Sequence, residues 1–394
     1  MARPRQIRFT REGLYYTVVF LAVLLGAVGR QLNLLMLVGC LLAGPLVFSL
    51  FYGRFVLRRL PVERKLPSHL HAGERLRVDC LVENCRRWFS VWAVRVEDTV
   101  ERMGGALPES STVGVFFPRV AAGQTQHATY EGRLERRGRY QFGPLRLSTR
   151  FPLGLVRHSL LLQNHAEMVV HPRLGTLSQD WVRMIREDES GSQQMTRRGM
   201  LEADFYGLRE WRPGDSRRWI HWRTSARRGS LIVRQFEQRR NQNLALLLDL
   251  WRPSTPSDDD LEAVETAVSF AATLLAESCR KPGAQLALQL ASAAPVFHSG
   301  SGSPLLLSEQ MDILALAEPH DDEAFPPCLG HALALVPAWT TTFVISTRQI
   351  DWDALRRAAA ERDTQVDARK IHAVSVTGKE LPRYFRLREE APLA

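Results

Sequence analysis

Two long apolar runs lie near the start of the chain. Residues 14–29 and 34–52 contain no charged side chain, and only the four residues from Arg30 to Asn33 separate them. Each run is close to the roughly 17–25 apolar residues that a helix needs to cross a bilayer. The pattern predicts two transmembrane helices joined by a tight turn, within a membrane anchor over residues 1–59. The alternatives are a cleaved signal peptide and two buried core helices.

Positive charge flanks this pair of runs on its outer ends. One arginine lies in the turn, whereas seven lie just outside the runs, at Arg3, Arg5, Arg8, Arg11, Arg54, Arg58 and Arg59. Because segments rich in Arg and Lys stay on the cytoplasmic side, both ends of the hairpin are predicted to be cytoplasmic. The soluble domains are therefore expected to face the cytoplasm.

Residues 60–172 show short stretches in which polar and apolar positions alternate, separated by turn residues. An alternation with period two is typical of half-buried strands, and its regular spacing predicts an antiparallel β-sandwich domain. His69 and His71 share one face of an extended segment, but two histidines without a third ligand are more typical of a solvated pair than of a metal site. The predicted strands are 75–83, 90–98, 111–120, 126–135 and 166–172.

From residue 243 onwards strands alternate with helices. The run at 243–251 is continuously apolar, as in a strand buried on both faces of a parallel sheet. An amphipathic pattern follows at 261–280, with three aspartates before it. We therefore predict a doubly wound α/β domain over residues 243–394. Further strands are expected at 284–290, 341–347 and 366–376, and further helices at 304–317 and 351–362.

Composition narrows the class of protein. The chain has 394 residues, 45% of them hydrophobic, and a formal net charge of +10, which excludes a wholly disordered chain and a polytopic transporter. Lysine accounts for only four of the 52 basic residues, a skew typical of GC-rich coding, so abundant arginine alone is weak evidence for a polyanion partner. Five cysteines without zinc-type spacing indicate a reducing compartment and no zinc site. No cofactor is predicted.

The segment that connects the two soluble domains, residues 173–242, concentrates the basic charge. Residues 197–240 hold 12 arginines and five acidic residues, together with Trp211, Trp219 and Trp222. Arginine interleaved with aromatic residues suits single-stranded nucleic acid, an anionic lipid surface or a protein partner. The structural alternative is a packed linker in which Arg212 and Arg217 pair with neighbouring acids and the tryptophans are buried.

Residues 202–237 resemble the signature of a bacterial family called domain of unknown function 58. The order of features is also similar to that family: a two-helix anchor, a β-sandwich that ends in a turn such as FPLGL at 151–155, the signature, and an α/β domain. The residues that match the signature are Leu208, Arg209, Glu210, Trp211, Arg212, Pro213, Gly214, Asp215, Arg218, Ile220, His221, Trp222, Ala226, Arg227, Leu231 and Val233.

The resemblance implies a von Willebrand factor A-like domain over residues 243–394 and a protein partner, a MoxR-type AAA ATPase. Because the family is bacterial, it also implies that the membrane is the bacterial inner (cytoplasmic) membrane. A metal site in such a domain needs D-x-S-x-S, because a carboxylate and two hydroxyls supply hard oxygen ligands to Mg²⁺. Asp249 is followed instead by Leu-Trp-Arg-Pro, and Ser346-Thr347 stands where the family often has Ser-Asp. Asp249 is therefore a degenerate metal-site position, and we predict no bound metal.

His221 is the one candidate for acid/base catalysis, with Asp215 six positions earlier. Without a nucleophile near it, a histidine that hydrogen-bonds a turn is the more typical interpretation, so no catalytic residue is assigned. The favoured hypothesis is a non-enzymatic, membrane-anchored adaptor or chaperone-like protein. The alternative is a membrane-tethered binder of nucleic acid or anionic lipid that uses residues 197–240, with nucleic acid the less favoured ligand. A hydrolase centred on His221 is the third hypothesis.

Overall fold

A computed structural model describes residues 6–30, 33–104, 110–185, 204–213, 215–237, 243–281, 283–324, 326–336, 340–349, 371–378 and 381–388. The chain forms two compact units. The first consists of Met1–Arg173 with Glu390–Ala394, and the second of Leu174–Glu389. The first unit therefore contains both apolar helices and the sandwich, and the second contains the signature segment and the α/β sheet.

The two apolar runs form helices α1, Arg11–Arg30, and α2, Asn33–Val56. Both are long and apolar enough to cross a membrane, and only 11% of the apolar window of each is buried in the protein. This exposure is the opposite of what a core helix shows. The helices contact each other, and the Tyr16 hydroxyl donates to the Leu42 carbonyl oxygen at 2.9 Å. They are longer than the predicted spans because each continues into polar residues at its outer end.

Two antiparallel sheets enclose the core of the first unit. The larger has the order β1-β9-β8-β4-β7-β10, with β5 also paired to β4, and the smaller has the order β2-β3-β6. The predicted strands correspond to β3, β4, β5, β6 and β10, whereas β1, β2, β7, β8 and β9 were not predicted. The bounds are β1 Gln6–Phe9, β2 Val62–Lys65, β3 Arg75–Glu83, β4 Val91–Met103, β5 Ser110–Val120, β6 Thr125–Arg133, β7 Gly138–Phe142, β8 Leu145–Thr149, β9 Val156–Leu162 and β10 Ala166–Val170.

The core between these sheets holds one buried ion pair. Strand β3 turns Leu76, Val78, Cys80 and Val82 inward, as its alternating sequence predicts. Among these apolar side chains, Arg64 Nη1 donates to both carboxylate oxygens of Asp98, at 2.8 and 2.9 Å, and each side chain is 1% exposed. A charge in an apolar core requires such a partner because burial removes its hydration.

Helix α2 ends against the sandwich. Gly53 lies in its last turn, where a Cβ atom would overlap with the ring of His158 in β9. The imidazole Nε2 of His158 lies 3.0 Å from the Ser49 carbonyl oxygen, and burial lowers the pKa of this histidine. The start of α1 is also held against the sandwich, because the hydroxyl of Thr10, the residue before the helix, donates to the Gly154 carbonyl oxygen at 2.6 Å. The helices and the sandwich are therefore packed together as one unit.

The second unit contains a five-stranded sheet with the order β16-β15-β14-β17-β18. All neighbours are parallel except β16, which runs antiparallel to β15 at one edge. The strands are β14 Leu244–Asp249, β15 Gln285–Ala291, β16 Val296–Ser301, β17 Thr341–Ser346 and β18 Ile371–Ser375, and the helices are α4 Asp258–Cys279, α5 Pro304–Ala315 and α6 Pro327–Leu335. The helix predicted at 351–362 lies outside the described residues.

Both faces of this sheet are covered. Leu246 and Leu248 of β14 pack with α4 and α5, whereas Leu247 packs with α6. This arrangement explains why β14 is apolar at every position. A capping box in which Ser257 and Asp260 exchange hydrogen bonds begins α4. The remaining elements are β11 Gly175–Leu177, which pairs with β19 Phe385–Leu387, α7 Leu381–Tyr384, and the signature elements described next.

Candidate interaction site

The signature segment forms an antiparallel hairpin that carries a short helix. Strand β12, Asp204–Glu210, pairs with β13, Ile232–Glu237, so that Arg209 faces Val233. A 3-10 turn at Arg217–Trp219 and helix α3, Trp222–Arg228, lie between the two strands. Ile220, Ile232 and Val233 are buried. The signature is therefore a folded element with its own apolar contacts.

Asp215 organises the turn after β12. Its carboxylate accepts two hydrogen bonds from the Arg209 guanidinium, at 2.7 and 2.8 Å, and one from the Arg212 backbone N–H at 2.8 Å. These bonds stabilise the charged form, so the pKa of Asp215 is lowered to about 2 and that of Arg209 is raised. The Trp211 indole N–H donates to the Asp215 carbonyl oxygen at 3.3 Å. Asp215 thus pairs with Arg209, and Arg212 contributes its backbone. Gly214 lies outside the described residues.

We expect this turn to withstand acid. Because the pKa of Asp215 lies below its ordinary value of 3.8, the ion pair stabilises the fold fully above about pH 4 and is lost only as the pH falls through about 2. An NMR titration of the Trp211 indole N–H should show its transition near pH 2. The Asp215→Asn variant should already have a displaced Trp211 signal at neutral pH. A wild-type midpoint near pH 4 would contradict this assignment.

His221 begins helix α3 as its N-cap. Its Nδ1 accepts the Thr224 backbone N–H at 3.3 Å and lies 2.8 Å from the Thr224 hydroxyl oxygen. Its own backbone N–H donates to the Ile232 carbonyl oxygen at 2.8 Å. An imidazole nitrogen that caps a helix has a structural role, as the interpretation of His221 as a turn residue predicts.

Ser225 was not identified from the sequence, although it connects the helix with β13. It is buried, its hydroxyl oxygen accepts the Ile232 backbone N–H at 2.9 Å, and the hydroxyl lies 3.1 Å from the His221 carbonyl oxygen. The sequence signal is weak because a serine in a basic helix is usually a surface residue.

Basic side chains cover the outside of this element. Among the described side chains of residues 207–234, the exposed acidic one is Glu210, and Pro213 is also exposed. Trp222, the first residue of α3, is 66% exposed, whereas Trp211 and Trp219 are half-buried. The exposed arginines are Arg212, Arg217, Arg218, Arg223, Arg227, Arg228 and Arg234. We call these arginines together with Trp222 the Arg/Trp surface.

Asp249 lies at the carboxyl end of β14, beside Ser346 at the end of β17. The chain order of the strands reverses between β14 and β17, which is where ligands bind in open α/β sheets. Asp249 is 2% exposed, and its carboxylate accepts hydrogen bonds from the Ser346 hydroxyl at 2.8 Å and from Arg348 Nε at 3.1 Å. His320 Nε2 lies 2.9 Å from the other oxygen. Protein groups thus surround the carboxylate.

Arg348 uses the rest of its guanidinium to fix a loop. Its Nη1 donates to the Glu323 carbonyl oxygen at 2.8 Å, and its Nη2 donates to the Ala324 carbonyl oxygen at 3.1 Å. The structure thus places Arg348 next to Asp249, although Arg252 is the nearer arginine in the sequence. Arg252 instead donates its backbone N–H to the His320 carbonyl oxygen. Arg348 is therefore the cation that pairs with the Asp249 carboxylate.

The histidine pair predicted at His69 and His71 acquires a third imidazole. The ring centroid of His171 lies 6.0 Å from that of His69 and 5.5 Å from that of His71. Nδ1 of His71 is 2.7 Å from the Pro172 carbonyl oxygen. Within the described part of the chain, however, no group of three His, Cys, Asp or Glu side chains is arranged to hold a metal ion.

Solved structures of low similarity align with about a quarter of the chain. A β-glucosidase from Listeria innocua in complex with gluconolactone is 13% identical, with a TM-score of 0.21, over 28% of this chain and 16% of that one. A CARDB domain from Pyrococcus furiosus is 15% identical, with a TM-score of 0.18, over 28% of this chain and 91% of that one. Scores this low carry no argument about fold or activity.

Sequence comparison is more informative. The uncharacterized protein YeaD of Bacillus subtilis (strain 168) is 28% identical over 234 residues, which are 58% of this chain and 55% of YeaD. The alignment therefore spans about half the length of that relative. Residues 207–324 match the model of the family described as "Protein of unknown function DUF58", a range that includes the Arg/Trp surface, Asp249 and His320. Residues 207–324 are therefore a DUF58 segment, as the resemblance of the signature indicates.

Proposed function

We propose that this chain is a membrane-anchored adaptor that binds a protein partner through the Arg/Trp surface and has no catalytic activity of its own. One observation carries the proposal. In the second unit, His221 and Asp249, the groups suited to catalysis or metal binding, take part in internal bonds, whereas Trp222 and the basic side chains of the signature face solvent. An exposed tryptophan among arginines is the composition of an interface centre.

The anchoring part of the proposal rests on α1 and α2. We propose that both helices cross the bacterial inner membrane, with the sandwich and the second unit in the cytoplasm. Their apolar length and their exposure support the spans. The excess of arginine at the outer ends of the hairpin, for example Arg8, Arg11, Arg54 and Arg58, supports the orientation.

The partner that fits the Arg/Trp surface is a protein with an acidic face. Arginine pairs with carboxylates through two parallel hydrogen bonds, and complementary charge speeds association and selects the partner. The family resemblance implies a MoxR-type AAA ATPase as that partner. We also propose that the α/β unit is a von Willebrand factor A-like domain, an assignment supported by its strand order with one antiparallel edge strand.

A binding measurement with the full chain in nanodiscs and the purified ATPase tests this proposal. Replacing Arg217, Arg218 and Arg227 with glutamate should weaken the affinity by roughly tenfold or more, because attraction becomes repulsion at exposed positions. The matched control is the replacement of Arg383 and Arg386, exposed arginines of the same unit, with glutamate. Equal affinity for the two variants would contradict the proposal.

The alternative hypothesis assigns the same surface to a polyanion. Exposed arginines attract nucleic acid and anionic lipid with a strong dependence on salt. Under this alternative, the signature variant should lose binding to single-stranded nucleic acid or anionic vesicles rather than to the ATPase. An exposed tryptophan such as Trp222 suits a protein contact and also base stacking, so the loss of one ligand or the other in these assays decides between the two hypotheses.

A further inference from the structure

We propose that the loop between β3 and β4, residues 84–90, inserts Trp88 and Phe89 into the headgroup layer of the bilayer that α1 and α2 cross. The sandwich then holds the membrane at a second place, beside the helices. This inference rests on the membrane anchoring proposed above and is independent of the partner of the Arg/Trp surface.

The loop is fixed to the end of helix α2. The Arg86 guanidinium donates from Nη2 to the Phe55 carbonyl oxygen and, at 2.8 Å, to the Val56 carbonyl oxygen, which are among the last carbonyls of the helix. The same guanidinium lies over the Phe55 ring, 4.7 Å from its centroid. The Phe89 ring meets the Phe55 ring edge-on, with 6.4 Å between centroids. These contacts place the loop at the level where the span ends.

The backbone of the loop is held from inside the sandwich. Asn84 is fully buried, and its side-chain amide donates to the carbonyl oxygens of Phe89 at 2.8 Å and of Val120 at 3.2 Å. The Arg86 backbone N–H donates to the Asn84 side-chain oxygen at 3.2 Å. A loop tied in this way presents its tip in one orientation, so little ordering entropy is lost when the tip meets a surface.

The tip is apolar and exposed. Trp88 is 82% exposed and Phe89 is 65% exposed, more than Phe116 and Trp92 of the sandwich, at 58% and 40%, whereas Tyr130 is buried. On the neighbouring helix, Phe51 and Phe55 are also exposed. Tryptophan is enriched at the membrane interface, where its ring is half in the apolar phase and its indole N–H stays hydrated. The bilayer that surrounds α2 therefore contacts both the helix and the tip of the loop.

Basic side chains border the tip. Arg87 is exposed next to Trp88, and Arg58 is exposed just after α2. Arg119 lies over the Trp92 ring and donates to the Ser90 hydroxyl oxygen at 3.3 Å. Exposed arginines beside the loop and after α2 fit anionic headgroups, because each basic residue near such a surface is attracted to it. The occupant is accordingly an anionic lipid surface.

Quenching of tryptophan fluorescence by brominated lipids tests the insertion. The full chain is reconstituted into bilayers that contain anionic lipid with bromine near the headgroup end of the acyl chains. The Trp88→Phe variant should lose part of the quenching seen with the wild type. The matched control is Trp251→Phe, which removes a half-buried tryptophan of the second unit outside the Arg/Trp surface and should leave the quenching unchanged. Bromine near the methyl end of the chains should quench Trp88 less than bromine near the headgroup.

The outcomes separate this inference from the anchoring on which it rests. If the chain floats with the vesicles through a high-salt wash but Trp88→Phe leaves the quenching unchanged, the insertion of the loop is wrong and the anchor stands. If the chain does not float, the anchoring itself is wrong. A loss of quenching in Trp88→Phe that persists in the presence of the purified ATPase supports the lipid surface over a protein partner at this tip.

Discussion

Replacing Asp98 with alanine is expected to destabilise the first unit by about 3–5 kcal/mol, the cost of breaking a buried ion pair by removing one partner. Asp98 is the common acceptor for the Arg64 guanidinium and for the Tyr130 hydroxyl, which donates at 2.7 Å. Burial and the nearby Asp98 carboxylate raise the pKa of Tyr130, so its proton stays on the hydroxyl. Without Asp98, a guanidinium charge remains in the core beside Phe142 with only carbonyl oxygens as acceptors.

Hydrogen exchange of the β3, β4 and β6 amides in the full chain measures this loss. Exchange that requires global opening should become roughly two to four orders of magnitude faster. Asp79→Ala is the matched control, because Asp79 lies in the same unit with its side chain 47% exposed, and its removal should cost less than about 1 kcal/mol. Combining Asp98→Leu with Arg64→Met should restore most of the stability. Equal exchange in the Asp98 and Asp79 variants would contradict the account of the core.

The second large effect concerns Asp249. We expect Asp249→Ala to destabilise the α/β sheet by about 2–4 kcal/mol, because it leaves Arg348 and His320 without their shared carboxylate. The loss is smaller than for Asp98, since Arg348 is 19% exposed and keeps its carbonyl acceptors at the loop. Asp249→Asn keeps the size of the side chain and removes the charge, so it should have an intermediate effect.

The hydrogen-exchange rates of the β14 and β17 amides measure this effect. Adding Mg²⁺ distinguishes an ion pair at Asp249 from a metal site. Asp321→Ala, an exposed neighbour of His320, is the control and should change little. If Asp249 pairs with Arg348, adding Mg²⁺ should leave the exchange rates of the wild type unchanged. Stabilisation of the wild type by Mg²⁺ that Asp249→Ala removes would contradict the assignment and restore a metal site.

The sequence predicted those elements whose patterns are strong and local. The two apolar runs and the alternating strand β3 are found within a few residues of their predicted positions, as is the continuously apolar strand β14. Other strands have no strong local pattern, and the reason differs from one strand to the next. Strand β1 is four residues of a basic terminus, and its pairing with β9 depends on residues about 150 positions away. Strand β16 is a short edge strand in which Gly300 and two serines indicate a loop.

The same distinction holds for the candidate site. The RPGD turn and the role of His221 follow from neighbouring residues, so a local pattern indicates them. The partners of Asp249 lie 71 and 99 positions away, at His320 and Arg348, and only the folded sheet brings them together. Likewise, the loop that carries Trp88 becomes informative only when its contact with Phe55 is known.

In the second unit, some polar side chains are held in internal hydrogen bonds and others face solvent, and both features bear on the proposed function. His221 and Asp249, the groups suited to catalysis or metal binding, are engaged in capping and pairing, which fits the proposed adaptor. The groups left at the surface of the signature, including Trp222, suit recognition. An adaptor that is held at a membrane gains effective concentration for such a surface, because its partner meets it near the bilayer.

Affinity capture of the tagged full chain from its native membranes, with and without nuclease, tests the central claim most directly. The account predicts that a AAA ATPase is recovered in both samples, that it is lost from the variant with Arg217, Arg218 and Arg227 replaced by glutamate, and that it is kept by the Arg383 and Arg386 control. Recovery that disappears with nuclease or moderate salt in the wild type would contradict the account and assign the Arg/Trp surface to a polyanion.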